Sequence, residues 1–245
     1  MQQNTVLHVL IATIGRPSLV NMLRTIVLQP HDHLTIVFDK VPVEVSDFVR
    51  HHLQTTRDYN VHVFNEPVRL GAWGHGIRNK YQGTLQGDFV LHADDDDEYT
   101  PGAFEAIRTV CSAPEAKDQI NVFSLTNSCK PRRCLQKRTP TPSGAIPIAH
   151  SSKGQWISER GGDYLYYDQL RKQVPFVYHP FVIYRIRPNP HQKRSKFGAS
   201  DIIDMLSSSP IKQSVTKARN KRSKRSKRPT MRAIRIAAKR AKANE

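Results

Sequence analysis

Four consecutive aspartates, Asp94–Asp97, directly follow a short and largely apolar segment at residues 88–93. Carboxylates at such close spacing repel one another, so the run is costly unless positive charge lies beside it. Its oxygen ligands suit Mg²⁺ or Mn²⁺, and Mg²⁺ takes only one or two carboxylates while waters and substrate phosphates fill its other positions. The run therefore indicates a metal ion that meets a diphosphate group. The alternatives are a solvated acidic turn and a nonspecific calcium site, whereas an EF-hand is excluded because its loop glycine and terminal glutamate are missing.

Short apolar segments alternate with segments of helical periodicity through the first half of the chain. This alternation predicts an α/β fold with a mainly parallel central sheet flanked by helices. Ligands of such sheets bind beyond the carboxyl ends of the strands. We predict strands at residues 6–12, 34–38, 61–64 and 88–93, and helices that begin near Pro17, Val45, Trp73 and Thr100.

Three polar features fall at the ends of these predicted strands. The turn Thr13–Arg16 follows the first strand, Asp39 closes the second, and the aspartate run follows the fourth. Because the carboxyl ends of parallel strands share one edge of a sheet, we expect the three features to converge on one rim. That position favours a ligand site over an ordinary surface turn.

The second half of the chain has a less regular pattern. Residues 128–149 are rich in proline and basic residues and are predicted as a loop. The remaining predicted elements are strands at 120–125, 155–158 and 176–185, and a helix at 163–172. From about residue 206 the chain is rich in Ser, Lys and Arg and loses apolar periodicity. We therefore predict a domain of residues 1–205 followed by a basic, disordered tail of residues 206–245.

The segment from Arg78-Asn79 through Gly87-Asp88 to the acidic run and Pro101 resembles the core signature of family 2-type GT-A glycosyltransferases. The resemblance covers residues 5–190 and is most specific at 78–101. It implies a GT-A (nucleotide-diphospho-sugar transferase) fold. It also implies transfer of a sugar from a UDP- or GDP-sugar to a hydroxyl of a glycan, a protein or a small molecule. The glycine that the family places shortly before the Arg-Asn pair is not at its usual spacing, which predicts a remodelled loop.

The same resemblance implies that Asp94 and Asp96 form a DxD pair that binds Mn²⁺ or Mg²⁺, with Asp96 as the more direct ligand. Asp94 or Asp95 then faces the ribose. The ion would act as a Lewis acid and neutralise the departing diphosphate. By resemblance, His191 reaches back to the same ion. With 11 histidines in the chain, a structural or solvated role is the alternative for His191.

Further residues are candidates for contacts with the nucleotide. Thr13, Arg16 and Asp39 lie where the family grips the base and the ribose. Arg69 and Arg78 join Arg16 as candidates for phosphate or base contacts, because guanidinium groups make charge-assisted hydrogen bonds with such groups. An ordinary turn aspartate is an equally good interpretation of Asp39, and surface arginines without a ligand are common.

An inverting transferase also needs a base that deprotonates the acceptor hydroxyl. By resemblance this carboxylate lies at the start of a helix in the second half, where Asp163 stands, with Glu159 and Asp168 in reserve. Capping of the helix N-terminus is the alternative role of Asp163. Nearby aromatic residues form either a stacking surface for a sugar acceptor or part of the core. These residues are Trp156, Tyr164, Tyr166 and Tyr167.

Positive charge is concentrated at the end of the chain. There are 38 Lys and Arg against 21 Asp and Glu, and 14 of the basic residues lie from Lys212 onward. Such a polybasic tail binds nucleic acid or an anionic membrane, or acts as a nuclear import signal, with a plain solvated tail as the alternative. The competing hypothesis for the whole protein is a nucleic-acid-associated protein or a metal-dependent nuclease. A nucleotidyltransferase is a third hypothesis, but the glycine-rich phosphate loop that it needs after the first strand is absent.

The cysteine pattern and the hydropathy of the chain indicate the cellular compartment in which we expect the protein. Three cysteines without a Cys-x-x-Cys pair predict neither a disulfide framework nor a zinc site, and they fit a reducing compartment. No apolar run reaches the length of a membrane span, and the N-terminus lacks the features of a signal peptide. We therefore expect a soluble, cytoplasmic protein whose tail directs it to the nucleus or to an anionic surface.

Overall fold

The structure is a computed structural model that describes residues 4–127, 130–132, 139–186 and 198–208. Across these residues, none of the helices combines the length and the apolar character that a bilayer crossing requires. In chain order the elements are β1 (Leu7–Thr13), α1 (Leu19–Thr25), β2 (His33–Phe38), α2 (Val43–Thr56), β3 (Asn60–Asn65), α3 (His75–Tyr81), β4 (Phe89–Asp94), β5 (Glu98–Tyr99), α4 (Ala103–Cys111), β6 (Ile120–Asn127), β7 (Lys130–Arg132), β8 (Gly144–Pro147), α5 (Ile148–Ser151), α6 (Gly162–Arg171), β9 (Phe176–Ile186) and α7 (Asp201–Ser208).

Strands β3, β2, β1 and β4 lie side by side in that order, and all four run parallel. Every residue of β1 is buried, as expected of a parallel strand that other elements cover on both faces. This half of the sheet positions the end of β4 next to the end of β1, because Ala12 pairs with Asp94. The predicted α/β fold class is confirmed.

The other half of the sheet is mixed. β8 pairs antiparallel with both β4 and β6, β9 pairs parallel with β6, and β5 pairs antiparallel with β9. β7 is not part of this row of neighbouring strands and pairs only with β6 among the described strands. The register between β6 and β9 shifts at Pro180, which has no backbone N–H to donate to the ladder. Only the half of the sheet that the first 94 residues build is therefore parallel throughout.

The prediction of a loop over residues 128–149 is wrong at β8, which lies in the middle of the sheet. β8 has only four residues, and all four are buried between β4 and β6. A segment this short carries no readable periodicity. At Gly144 a Cβ atom would lie 2.8 Å from the Tyr167 hydroxyl, so close packing against α6 selects glycine there.

The predicted strand at residues 155–158 is also wrong. The backbone N–H of Trp156 donates to Asn79 Oδ1 (2.8 Å), and the carbonyl of Trp156 accepts from Asn79 Nδ2 (2.7 Å). A side-chain amide on α3 therefore supplies the two hydrogen bonds that a neighbouring strand would otherwise make. The segment stays irregular for this reason.

A buried carboxylate at the amino ends of the strands holds three segments together. Asp32 accepts hydrogen bonds from the backbone N–H groups of Leu7 (2.9 Å) and Gln29 (2.6 Å), and it pairs with Arg108 on α4. The side chain of Asp32 is fully buried, and that of Arg108 is 16% exposed. The pair therefore fixes α4 against the starts of β1 and β2.

We expect Asp32→Ala to reduce the free energy of unfolding by about 3–5 kcal/mol, because it leaves two N–H groups and a buried guanidinium without their acceptor. Urea denaturation measures this loss. The matched control is Asp47→Ala, which removes an exposed ion pair with Arg50 and should cost less than about 1 kcal/mol. Equal losses in the two variants would show that the Asp32 network carries no special stability.

Three histidine rings stack across the sheet on β1, β2 and β3. The centroids of His8 and His33 are 5.3 Å apart, and those of His33 and His62 are 5.9 Å apart. Nδ1 of His8 lies 3.0 Å from both the backbone nitrogen and the carbonyl oxygen of Gln86, and Nε2 is hydrogen-bonded to the hydroxyl of Thr35 (2.8 Å). Burial, together with the neighbouring rings, lowers the pKa of His8 to about 4. The folded protein therefore keeps this ring neutral at pH values where the unfolded chain protonates it.

Acid should therefore destabilise the protein through His8. The folded pKa lies below the unfolded value of 6.5, so stability is complete above pH 6.5 and falls as the pH drops toward 4. We expect His8 to account for a loss of about 2 kcal/mol between pH 7 and pH 4.5, measured by urea denaturation at both values. His8→Gln should show a flatter pH profile, and His51→Gln on exposed α2 should keep the wild-type profile. A His8→Gln profile as steep as that of the wild type would contradict this expectation.

Candidate functional site

A cavity of about 330 Å³ opens at the carboxyl ends of β1, β2 and β4. The start of α6 and the loop before α3 complete its lining. Eight of the residues singled out from the sequence line it, and these are Thr13, Arg16, Asp39, Asp94, Asp95, Asp96, Glu159 and Asp163. Carboxylates outnumber guanidinium groups in this lining, so the charge of the lining by itself does not favour an anionic ligand.

Asp95 is buried and joins the end of β4 to the turn after β1. One carboxylate oxygen accepts the hydroxyl hydrogen of Thr13 (2.5 Å), and the other accepts Nη1 of Arg16 (2.8 Å). Thr13 Oγ1 in turn accepts the N–H of Gly15 (2.9 Å). Burial raises the pKa of Asp95 to about 6, although Arg16 and Thr13 act to lower it. Both oxygens of Asp95 are thus engaged in positioning the turn.

Arg78 lies behind the acidic run. Its Nη2 donates to Asp94 Oδ1 (2.5 Å) and to the carbonyl of Ala93 (3.3 Å), and its guanidinium carbon lies 5.1 Å from the ring centroid of Trp156. The side chain is 1% exposed and is not part of the cavity lining. The structure therefore places Arg78 where it offsets the charge of Asp94 from beneath, away from the surface that a ligand would meet.

The carboxylates of Asp94 and Asp96 keep access to the cavity, with 33% and 32% of their side chains exposed. Nη1 of Arg16 lies 3.6 Å from Asp96 Oδ2. Within the described ranges, no group of three or more His, Cys, Asp or Glu is arranged to hold a metal ion. The exposed oxygens of Asp94 and Asp96 are hard donors of the type that Mg²⁺ and Mn²⁺ prefer. His191 lies outside the described residues.

Asp39, at the end of β2, holds the loop that precedes α3. Its two carboxylate oxygens accept the backbone N–H groups of Leu70 (2.6 Å) and Gly71 (2.9 Å). The residue is only 3% exposed. Asp39 therefore reaches the cavity wall chiefly through the loop that it anchors.

This loop has an unusual backbone. Four consecutive residues, Gly71–Gly74, have positive φ angles of 62°, 53°, 53° and 83°. Glycine adopts this region freely, but it costs roughly 1–3 kcal/mol each at Ala72 and Trp73. The strain is held by Arg78, whose Nη1 donates to the carbonyl of Trp73 (3.1 Å), and by the contact of Gly74 with β1. The glycines that depart from the family spacing belong to this loop.

Asp163 lines the cavity from the first turn of α6. The preceding residue, Gly162, packs so tightly that a Cβ atom would lie 2.0 Å from the carbonyl oxygen of Ile157 and 2.7 Å from the ring of His75. Nδ1 of His75 bonds the same carbonyl (2.7 Å), and burial lowers the pKa of His75. The contact between α3 and α6 therefore sets the position of Asp163. Gly161 is the N-cap residue of α6, and Oδ1 of Asp163 accepts the backbone N–H of Tyr164 (2.9 Å) in the first turn.

Other residues predicted for the site lie elsewhere. Arg69 is exposed but does not line the cavity, and Asp168 pairs with Lys172 (3.0 Å) on the surface of α6. The prediction of an aromatic stacking surface for a sugar acceptor is wrong for three rings, which are at most 1% exposed and belong to the core. These are Trp156, Tyr166 and Tyr167.

The sequence analysis did not single out several residues that line the cavity, among them Trp73, His75, Thr141 and Arg160. The crowding of glycines around Trp73 was a usable signal, because glycines at close spacing mark a backbone in unusual conformations. For Thr141 no local signal existed, since it precedes a strand that was itself not predicted.

No protein-family model matches the sequence, and neither does any curated protein. Solved structures do match its fold. S. aureus TarS, residues 1–349, superimposes with a TM-score of 0.62 and 13% identity over 74% of this chain and 60% of that chain. The UDP-GlcNAc complex of the same TarS fragment gives a TM-score of 0.61 and 12% identity over 82% of this chain and 64% of that chain.

A third match is the mannosyltransferase PcManGT from Pyrobaculum calidifontis, in complex with GDP-Man and Mn²⁺. It has a TM-score of 0.58 and 12% identity over 76% of this chain and 58% of that chain. The chain thus spans between 58% and 64% of the length of these three structures. TarS and the mannosyltransferase are both GT-A type glycosyltransferases. This chain has the GT-A fold.

Proposed function

We propose that this protein is a glycosyltransferase that moves a sugar from a nucleotide-diphosphate sugar to an acceptor hydroxyl. The observation that carries the proposal is the cavity in which the aspartates at the end of β4, Arg16 and Asp163 meet at the carboxyl edge of the parallel strands. UDP-GlcNAc and GDP-Man are bound in structures of the same fold, and they represent the donor class that we infer here.

Mn²⁺ or Mg²⁺ suits the carboxylates of this cavity. The oxygens of Asp95 are taken by Thr13 and Arg16, whereas Asp94 and Asp96 are partly exposed. We therefore assign Asp96, with Asp94 beside it, as the residues that would hold the ion together with the diphosphate of the donor. When bound, the ion supplies Lewis-acid stabilisation of the leaving diphosphate. The Mn²⁺ of the mannosyltransferase complex is consistent with this choice of ion.

Asp163 is the base that we assign to the acceptor hydroxyl. Its carboxylate takes the hydroxyl proton while the acceptor oxygen bonds to the anomeric carbon and the bond to the diphosphate breaks. Attack from the face opposite the leaving group inverts the anomeric configuration. Glu159 also lines the cavity and is the second candidate for this role.

The catalytic domain that we propose extends to the end of α7. The predicted boundary after residue 205 falls inside this helix, whose residues Ile202 and Leu206 are buried. The rest of the predicted basic tail, residues 209–245, lies outside the described residues. Its binding to nucleic acid or an anionic membrane, the cytoplasmic location and the competing nuclease hypothesis stay predictions.

We expect Asp96→Asn to lower the release of nucleoside diphosphate from a UDP- or GDP-sugar by at least roughly 100-fold, because the metal loses one of the two partly exposed carboxylates, and the other, Asp94, is paired with Arg78. The assay measures UDP or GDP release with Mn²⁺ and again after EDTA treatment, which should reduce wild-type turnover to a similar extent. Asp47→Asn on α2 is the matched control and should turn over like the wild type. Wild-type turnover that survives both EDTA and Asp96→Asn would refute metal dependence at this residue.

We expect Asp163→Asn to lower kcat by roughly 10²- to 10⁴-fold, because the amide cannot accept the hydroxyl proton. Donor affinity, measured by calorimetry, should stay within about threefold of the wild type, since the donor's diphosphate lies at β4. Asp168→Asn serves as the control on the same helix. If Glu159→Gln abolishes turnover and Asp163→Asn does not, Glu159 is the base. NMR of the product's anomeric proton reports whether the configuration is inverted.

A further inference from the structure

Trp73 is the most exposed of the large apolar side chains in the described part of the chain, with 70% of its surface accessible. It nevertheless lines the cavity. The other tryptophan of the chain, Trp156, is 1% exposed and packs on Tyr166 at a centroid distance of 4.1 Å. An indole that is left uncovered inside a polar site presents a flat apolar surface that a ligand ring can cover.

The backbone holds this ring in place despite strain. Trp73 and Ala72 both have a φ of 53°, a region that residues with a Cβ rarely adopt. Asp39 fixes the start of the loop through two N–H groups, and Arg78 fixes its end through the carbonyl of Trp73. Strained residues that their surroundings hold so firmly concentrate at ligand sites. The loop is therefore built to present the indole.

The position of the loop indicates which part of a ligand the indole meets. It is anchored at the carboxyl end of β2 by Asp39, and Gly74 packs against Ala12 at the end of β1. The metal-binding carboxylates that we propose lie at the end of β4, and Asp163 lies on α6. A nucleotide sugar carries its charge in the middle, with a base at one end and a sugar at the other.

With the diphosphate at β4 and the sugar toward Asp163, the base extends toward β1 and β2. Ile14, which is 48% exposed, adds a second apolar surface to the same cavity. The loop that carries the indole is anchored on the side of the cavity where we place the base, and the centroid of the indole lies 6.4 Å from that of the His75 ring.

We propose that Trp73 is the stacking platform for the nucleobase of the donor. This inference rests on the proposed function, because it requires a nucleotide donor in the cavity. Stacking is tolerant of base identity, since uracil and guanine both offer a π-face. Trp73 therefore supplies affinity for the nucleoside, and selection between bases falls to other groups.

Calorimetry with UDP, GDP and inorganic pyrophosphate, each with Mg²⁺, tests the proposal on the full-length protein. Trp73→Leu should lower the affinity for UDP and GDP by roughly 10- to 100-fold and leave the affinity for pyrophosphate unchanged, because only the base loses its stacking partner. Trp73→Phe keeps a ring and should stay within about threefold of the wild type. Phe181→Leu is the matched control, since Phe181 is 47% exposed and does not line the cavity.

Tryptophan fluorescence gives a second readout. The exposed Trp73 should emit at longer wavelength than the buried Trp156, and UDP should quench that emission in the wild type but not in Trp73→Leu. Because the side chain is largely solvent-exposed, thermal unfolding of Trp73→Leu should match that of the wild type, which shows that the variant is folded.

The outcomes separate the two levels of the proposal. If the wild type binds UDP and Trp73→Leu binds it equally well, the stacking role is wrong and the proposed function stands. The stacking role is also wrong if Trp73→Leu lowers the affinity for pyrophosphate as much as that for UDP. It is likewise wrong if the variant lowers only the affinity for the nucleotide sugar, which would place the indole against the sugar. If the wild type binds neither UDP nor GDP nor their sugars, the proposed function and the stacking role both fall.

Discussion

The carboxylates of Asp94–Asp97 repel one another, and the stability of the site depends on neighbouring groups that offset this repulsion. Three of these side chains lie beside guanidinium groups that come from two separate segments of the chain. Arg78 of α3 lies beneath Asp94, and Arg16 of the turn after β1 pairs with Asp95. Satisfying these charges therefore draws α3 and the first turn toward the end of β4. Asp96 retains a partly exposed carboxylate at the centre of the resulting cavity.

α3 links the acidic run to both neighbouring walls of the cavity. Arg78 bonds the carbonyl of Trp73 on one side and lies over the ring of Trp156 on the other. Asn79 holds the backbone at Trp156, and His75 packs against Gly162 at the start of α6. The Arg-Asn pair acts in this structure through packing and backbone hydrogen bonds. It organises the groups that face a ligand without lining the cavity itself.

The parallel half of the fold was predictable because its strands are buried on both faces and read as continuous apolar runs between helical patterns. β8 was not predictable, because its four residues become a strand only through pairing with β4 and β6. The prediction of a strand at residues 155–158 was wrong for the converse reason. Its composition suits a strand, but its hydrogen-bonding groups are satisfied by a side chain on α3.

The sequence by itself determined the fold class and the meeting of Thr13, Arg16, Asp39 and the acidic run at one edge of the sheet, because strand order and polarity follow from local patterns. The family resemblance named Asp96 as the more direct metal ligand, but only the tertiary structure revealed how the surroundings of the aspartates differ. Asp95 is bonded to a hydroxyl 82 residues away, whereas Asp96 is open to the cavity. Burial and hydrogen-bond partners depend on residues that are distant along the chain, so no local pattern separates adjacent residues of the same type.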